Sequence, residues 1–257
     1  MNTFLALAFL VASIAAHRPL TAQTTQTVVA GEVQRLAEEG AAAGQLTLVS
    51  DAITVVERAL HDAPSDSVLL HYLGYAYYRK GTVLAVMGRR GEAGRALDSA
   101  ESTLRRSAST LRWPENAALL GATIGQKIGL NRNPFSAMRN GPRSNAELDR
   151  AALLDSTNAR VLLLRGIGAY YKPSMFGGGA DKAAQELERA VAAFETDQPV
   201  PPHPSWGHGE AWTFLGMARA RQGRIAEARA AYERALTFSP LILSVRDSLL
   251  PALGAPR

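Results

Sequence analysis

Near the end of the chain, small and bulky apolar residues recur in two helical runs. Trp212, Leu215 and Gly216 mark the first run and Ala228, Tyr232 and Ala235 the second, with Gly223 between them and Pro240 after. Spacings of three and four residues place each set on one helix face. Glycine permits the turn, and proline stops the second helix. The pattern predicts a hairpin of two helices that cross at Gly216 and Ala228, where a larger side chain would wedge them apart.

The arrangement returns upstream in degraded form. Ala52, Val56, Ala59 and Pro64 form a second run after Gly40. Leu70, Leu73, Gly74 and Tyr77 lead to Ala93, Leu97 and Ala100, with Ala96 and Ala100 as a competing register. Ala117, Leu120 and Gly121 lead to Leu148 and Ala151, and Leu162 and Gly166 to Ala183, Leu187 and Ala190. The expected repeats are 33–66, 67–105, 114–157, 159–196 and 209–242. A single hairpin cannot bury its own apolar face, so the five must stack. Leu241–Leu250, before Pro251, predicts a helix capping the last one. An all-α chain is expected.

The interval between the two small residues measures each turn. It is 12 from Gly216 to Ala228, but 19 from Gly74 to Ala93, 23 from Gly121 to Ser144 and 17 from Gly166 to Ala183. These excesses predict loop insertions in repeats two, three and four, all projecting from one edge of the stack.

This pattern resembles the tetratricopeptide-repeat superfamily over roughly residues 30–242, with Arg219 where the last repeat would carry an aromatic. The resemblance implies a right-handed superhelical solenoid of about five hairpins that binds protein or peptide on the concave face of the first helices. On the superfamily's geometry, the groove residues are His71, Tyr75, Tyr78, Gln126, Tyr170, Tyr171, Thr213, Met217 and Arg221. Tyrosine's large apolar face and polar tip suit a binding surface. Alternatively, Tyr75, Tyr78, Tyr170 and Tyr171 fill space between adjacent helices. A narrower resemblance, in Lys127–Phe135, Pro173–Ala183, Pro204–His208 and Leu249–Leu253, is to an exported bacterial group of such proteins; it implies fold and compartment only.

The N-terminus adds to the expectation of export. Phe4–Ala16 is an apolar run of 13 residues without charge. A bilayer span needs about 20, so the run fits a signal segment, here assigned to residues 1–22. A periplasmic or secreted protein is expected. The chain has no cysteine, which excludes disulfides, thiolate metal sites and a lipid-modified cysteine anchor.

Net charge is +5, and no acid falls between Glu115 and Glu147, where Lys127, Arg132, Arg139 and Arg143 lie. This basic stretch reads as a solvated loop or as a surface for an anionic partner. Arg132, Phe135 and Arg139 in one insertion, with Met175 and Phe176 in the next, form a candidate edge patch. There, Phe135 is expected to anchor its loop, and Met175 and Phe176 to tuck against the solenoid. Gly177–Gly179 precede a helix start, where Asp181 is placed to cap and would occupy the donors an anion needs. His203 and His208 bracket Trp206 in a proline-containing linker; without a third ligand this reads as structural packing under the last repeat. Neither catalytic constellation, cofactor nor metal is expected. The sequence predicts an exported scaffold for protein or peptide, used in envelope assembly or transport. The alternative is a small-molecule or lipid binder with loops closing over the groove; nucleic acid is not the expected partner.

Overall fold

A computed structural model describes residues 20–130 and 133–254. Among these, ten long helices pair into five antiparallel hairpins: α1 (Leu20–Ala42) with α2 (Leu46–Asp62), α3 (Ser67–Val86) with α4 (Arg90–Ser107), α5 (Pro114–Leu130) with α6 (Pro134–Leu154), α7 (Ala159–Tyr171) with α8 (Ala180–Phe194), and α9 (His208–Arg221) with α10 (Ile225–Phe238). Each odd-numbered helix packs on the next odd-numbered one, and each even-numbered helix on the odd one that follows. The hairpins therefore stack as a helical-repeat solenoid around one apolar core running from Val29 to Ala231.

Local chemistry starts these helices where they start. Asp66 accepts from the backbone N–H of Val68 and Leu69 at 2.9 and 3.1 Å, and Asn158 from those of Arg160 and Val161 at 3.0 and 3.2 Å. Each cap satisfies donors that have no partner within the helix. Asp66 also accepts from the buried Gln26 side chain, tying α3 to α1.

The crossings confirm three expected registers. A methyl group at Gly216 would overlap the Tyr232 ring, one at Gly166 would overlap Leu187, and one at Gly121 would lie 2.9 Å from both Leu148 and the Ser144 carbonyl. Gly74 differs: it meets Leu104 rather than Leu97, while Gly81, one heptad later, meets Leu97 and the Ala93 carbonyl. Gly40 meets Val49 and the Gln45 carbonyl, not Ala52. A seven-residue slip preserves the facing stripes, so sequence periodicity tolerates both registers.

Two of the three expected loop insertions are not loops. The α3–α4 connection is only 87–89, because the added residues lengthen both helices; α3 continues twelve residues past Gly74 (74 to 86), whereas α9 ends five past Gly216 (216 to 221). In the third hairpin the excess likewise extends α5 and α6. Helix-forming residues on a facing stripe gain more by continuing the crossing than by looping out. Only the fourth hairpin carries a true insertion, 172–179, with a 3₁₀ turn at Ser174–Phe176.

At the ends, α1 begins well before the expected residue 33 and buries Val29, Ala30 and Val33. Residues 1–19 of the expected signal segment lie outside the described residues. At the other end, a helical segment at 243–252 includes a π turn, Val245–Leu249, and buries Val245 against Ala228 and Tyr232. It begins two residues later than expected and covers the last hairpin. Among the described residues, no helix is long and apolar enough to cross a membrane.

Gly121→Val should lower unfolding free energy by about 1–3 kcal/mol through overpacking against Ser144 and Leu148. Urea denaturation measures this; an unchanged midpoint would show that α5 and α6 do not cross there.

Candidate functional site

Between α8 and α9 the chain runs Asp197-Gln-Pro-Val-Pro-Pro-His-Pro-Ser-Trp-Gly207, whose four prolines prevent a helix. This segment folds back as a strap across the concave face. The Tyr72 hydroxyl donates to the Pro202 carbonyl, and Gln34 Oε1 accepts from the Ser205 backbone N–H at 2.6 Å. Trp206 is buried and stacks on Tyr75, ring centroids 5.1 Å apart, while His203 lies 4.5 Å from Trp113. Gly207 ends the strap at φ +107, where a methyl group would also strike Leu163.

Behind the strap sits a buried charge cluster. Arg79 pairs with Glu38 of α1 at 2.6 Å and Glu210 of α9 at 2.8 Å, and donates to the Tyr75 hydroxyl. Burial opposes its charge, but the two carboxylates outweigh that effect and raise its pKa well above the ordinary value. Burial likewise raises the Tyr75 pKa, so its hydroxyl stays protonated and also donates to Glu38. Beside it, His71 shares a 3.0 Å hydrogen bond with Asn116, and burial lowers its pKa to about 4.

One end of the strap borders an open, mostly polar cleft of about 450 Å³, where α5 and α7 begin and α8 ends. Glu115, Asp155 and Asp197 give it three carboxylates against one guanidinium, Arg160. Glu115 is 5% exposed; Oε1 accepts from Asn158 at 2.8 Å, while Oε2 has no hydrogen-bond partner. Arg160 is 1% exposed, pairs with Asp197 at 2.6 Å, faces the Phe194 and Trp206 rings, and leaves its Nε unpartnered. Asp155 accepts from Thr157 and the Asn158 backbone. A surplus of carboxylate with a desolvated free lone pair suits a cationic group.

The structure brings most of the expected groove residues together, but not around open space. His71, Tyr75, Tyr78, Tyr170 and Thr213 are all buried. Gln126 is half-buried and donates to Thr82, and Met217 packs between the core and the C-terminal cap. Arg221 is exposed and lies over the Tyr170 ring at 3.6 Å. Tyr171 is 67% exposed, so space-filling describes three of the four tyrosines. The open groove is thus corrected: part of it is filled by the strap, since Trp206 covers Tyr75 from α3.

The expected packing of the edge-patch residues is corrected as well. Arg132 lies outside the described residues. Arg139 is exposed; Phe135, Met175 and Phe176 are 75%, 81% and 66% exposed, so none anchors a loop or tucks inward. Lys172 at the base of the fourth-hairpin loop bonds Asn145, which lies about 15 Å along α6 from Phe135 at 1.5 Å per residue. Asp181 does not cap α8 but accepts from Gln222. The backbone N–H groups of Gly177, Gly178 and Gly179 bond Ser174, Pro173 and Ala169, leaving them no free donor. His208 stacks on Phe238, and among the described residues no cluster of His, Asp or Glu could hold a metal ion. Missed by sequence reasoning were Arg79, Arg160, Glu38, Glu210 and the strap. Two arginines on otherwise apolar helix faces and four closely spaced prolines were the available signals.

Residues 209–241 match the tetratricopeptide repeat family. Among solved structures, a thermophilic TPR protein of Thermus thermophilus is 21% identical with a TM-score of 0.57, covering 87% of this chain and 98% of its own. The HusA haemophore from Porphyromonas gingivalis is 24% identical with a TM-score of 0.59, covering 75% and 92%. The Cut9–Hcn1 hetero-tetramer of the APC/C is 14% identical with a TM-score of 0.51, covering 90% and 40%. No curated protein is significantly similar to the chain in sequence. At these identities the likeness is one of fold. Residues 209–241 thus match a tetratricopeptide repeat, and the five stacked hairpins share the fold of proteins built from such repeats, which generally bind proteins and peptides.

The buried histidine gives a pH signature. An unfolded His71 takes its proton near 6.5 and the folded one near 4, so the unfolded state binds more protons between those values. Stability from this residue is therefore full above pH 6.5 and falls by about 3 kcal/mol as pH drops to 4. His71→Gln should lose less stability than wild type between pH 7 and 4 in urea titrations; equal losses would show that the imidazole is not held neutral.

Proposed function

We propose that this protein is an exported interaction scaffold that receives a cationic segment of a protein partner in the cleft beside the strap. One observation carries the reading: Glu115 is nine-tenths buried at the cleft, yet Oε2 has no hydrogen-bond partner. A buried, unpaired carboxylate oxygen is costly, and a lysine or arginine side chain that displaced the atoms covering it would relieve that cost. Asp155 and Asp197 add to the attraction. The repeat class supports protein or peptide as the partner. Binding rather than catalysis fits the cleft, where the Thr157 hydroxyl already donates to Asp155.

A small molecule or lipid held under closing loops draws less support. The strap already occupies part of the concave face, two expected insertions are helical, and the cleft is open and mostly polar. Export is supported by the uncharged apolar run Phe4–Ala16. A role in envelope assembly or transport belongs to the same proposal.

Fluorescence anisotropy with short lysine- or arginine-containing peptides tests the cleft. Glu115→Gln should weaken binding roughly tenfold, the scale of one charge-assisted hydrogen bond, with the melting temperature unchanged or raised. Equal affinity for glutamate-containing peptides, or no effect of the substitution, would refute the assignment. Export is checked separately by N-terminal sequencing of the protein from fractionated cells: a start near Gln23 is expected, and an intact Met1 in the cytosol would end that part of the reading.

A further inference from the structure

The edge opposite the cleft has its own chemistry. There α3 reaches about two helical turns, or ~11 Å, and α5 about one turn, or ~6 Å, farther from Gly74 and Gly121 than α9 does from Gly216. Large apolar side chains stand at their ends. Val86 is 85% exposed, and Met87 45%, where α3 stops; Phe135 is 75% exposed, and Met138 72%, in the first turn of α6. Phe135 and Met138 are three residues apart and so share a face. The two ends adjoin, because Leu130 of α5 packs against Leu84, Ala93 and Ala96 of the second hairpin.

Positive charge lies beside and behind these ends. Arg90, Arg95 and Arg139 are exposed, and none makes an ion pair among the described residues. Arg90 and Arg95, with Lys127 and the Asp98 paired to it, line a second cleft of about 380 Å³ between the two hairpins. Acids are few: Glu92 pairs with Arg89 and Asp98 with Lys127, and none occurs from residue 116 to 146.

We infer that this edge docks on an anionic lipid bilayer. Apolar side chains on convex ends enter the headgroup boundary, and the guanidinium groups meet lipid phosphates at its surface. A plane accepts projecting ends without needing a complementary cavity, whereas a protein partner would have to supply one. Charge complementarity selects the anionic surface. The cleft beside Arg90 and Arg95 has room for a single phosphate headgroup behind the apolar ends.

The absence of cysteine makes a direct test simple, since one introduced thiol can be labelled uniquely. Phe135→Cys and, at the opposite end of the same helix, the 89% exposed Leu153→Cys would each carry an environment-sensitive dye. With vesicles of 30% phosphatidylglycerol in phosphatidylcholine, the dye at 135 should shift to the blue and the dye at 153 should not. Co-sedimentation should show binding that is absent from pure phosphatidylcholine. Arg90→Gln, Arg95→Gln and Arg139→Gln together should weaken it roughly a hundredfold, at about 1 kcal/mol per basic residue near the surface. All three side chains are exposed, and circular dichroism confirms the fold. No preference for the anionic vesicles, equal shifts at both labels, or full binding by the triple variant would each overturn the inference. It does not depend on the cleft at Glu115, whose peptide assay stands apart.

Discussion

One buried guanidinium fixes the overall course of this solenoid. Arg79 draws a carboxylate from the first helix, Glu38, and another from the ninth, Glu210, while its own helix supplies the Tyr75 hydroxyl. A charge this deep costs several kcal/mol unless it is paired, and the desolvated pair adds little net stability beyond offsetting that cost. Its value is geometric. Any arrangement in which α9 stood away from α1 would strand a charge, so curvature is specified by the penalty for alternatives. Arg160 repeats the device nearer the strap, with Asp197 as partner.

This closure changes how the concave face is used. Repeat scaffolds lay the first helix of each hairpin around a hollow, and here part of that hollow is taken by the chain itself. The strap enters as an extended, proline-rich segment, donates from its backbone to Gln34, accepts from Tyr72, and seats one large aromatic on Tyr75. Those are the contacts an incoming peptide would make. Because they are intramolecular, they cost no translational entropy, and a competing peptide would have to overcome that advantage. The proposed recognition site accordingly lies at the end of the hairpins, beside Glu115.

Much of the fold was legible in the sequence because small residues at crossings carry a steric demand that few substitutions satisfy. Gly121, Gly166 and Gly216 revealed both the hairpins and their registers. Gly74 did not reveal its register, since Ala93, Leu97, Ala100 and Leu104 repeat every seven residues and present the same stripe after a one-heptad slip. That slip concealed the lengthening of α3 and α4 and made extra helix look like loop. The site was less legible. Whether the expected groove is open depends on contacts between Tyr75 and Trp206, 131 positions apart, and spacing rules do not reach so far. Glu115 stood out only as the border of an acid-free stretch; burial is what distinguishes it.

The length of α6 has a consequence for how two negatively charged surfaces coexist. Its 21 residues place Phe135 at one end and the turn at Asp155 at the other, about 30 Å apart. Ions in physiological solution screen a surface charge over about 8 Å. A carboxylate-walled recess held several screening lengths above a sheet of phosphates neither feels their repulsion nor competes with them for the same cations. The rod of one helix thus works as an electrical spacer.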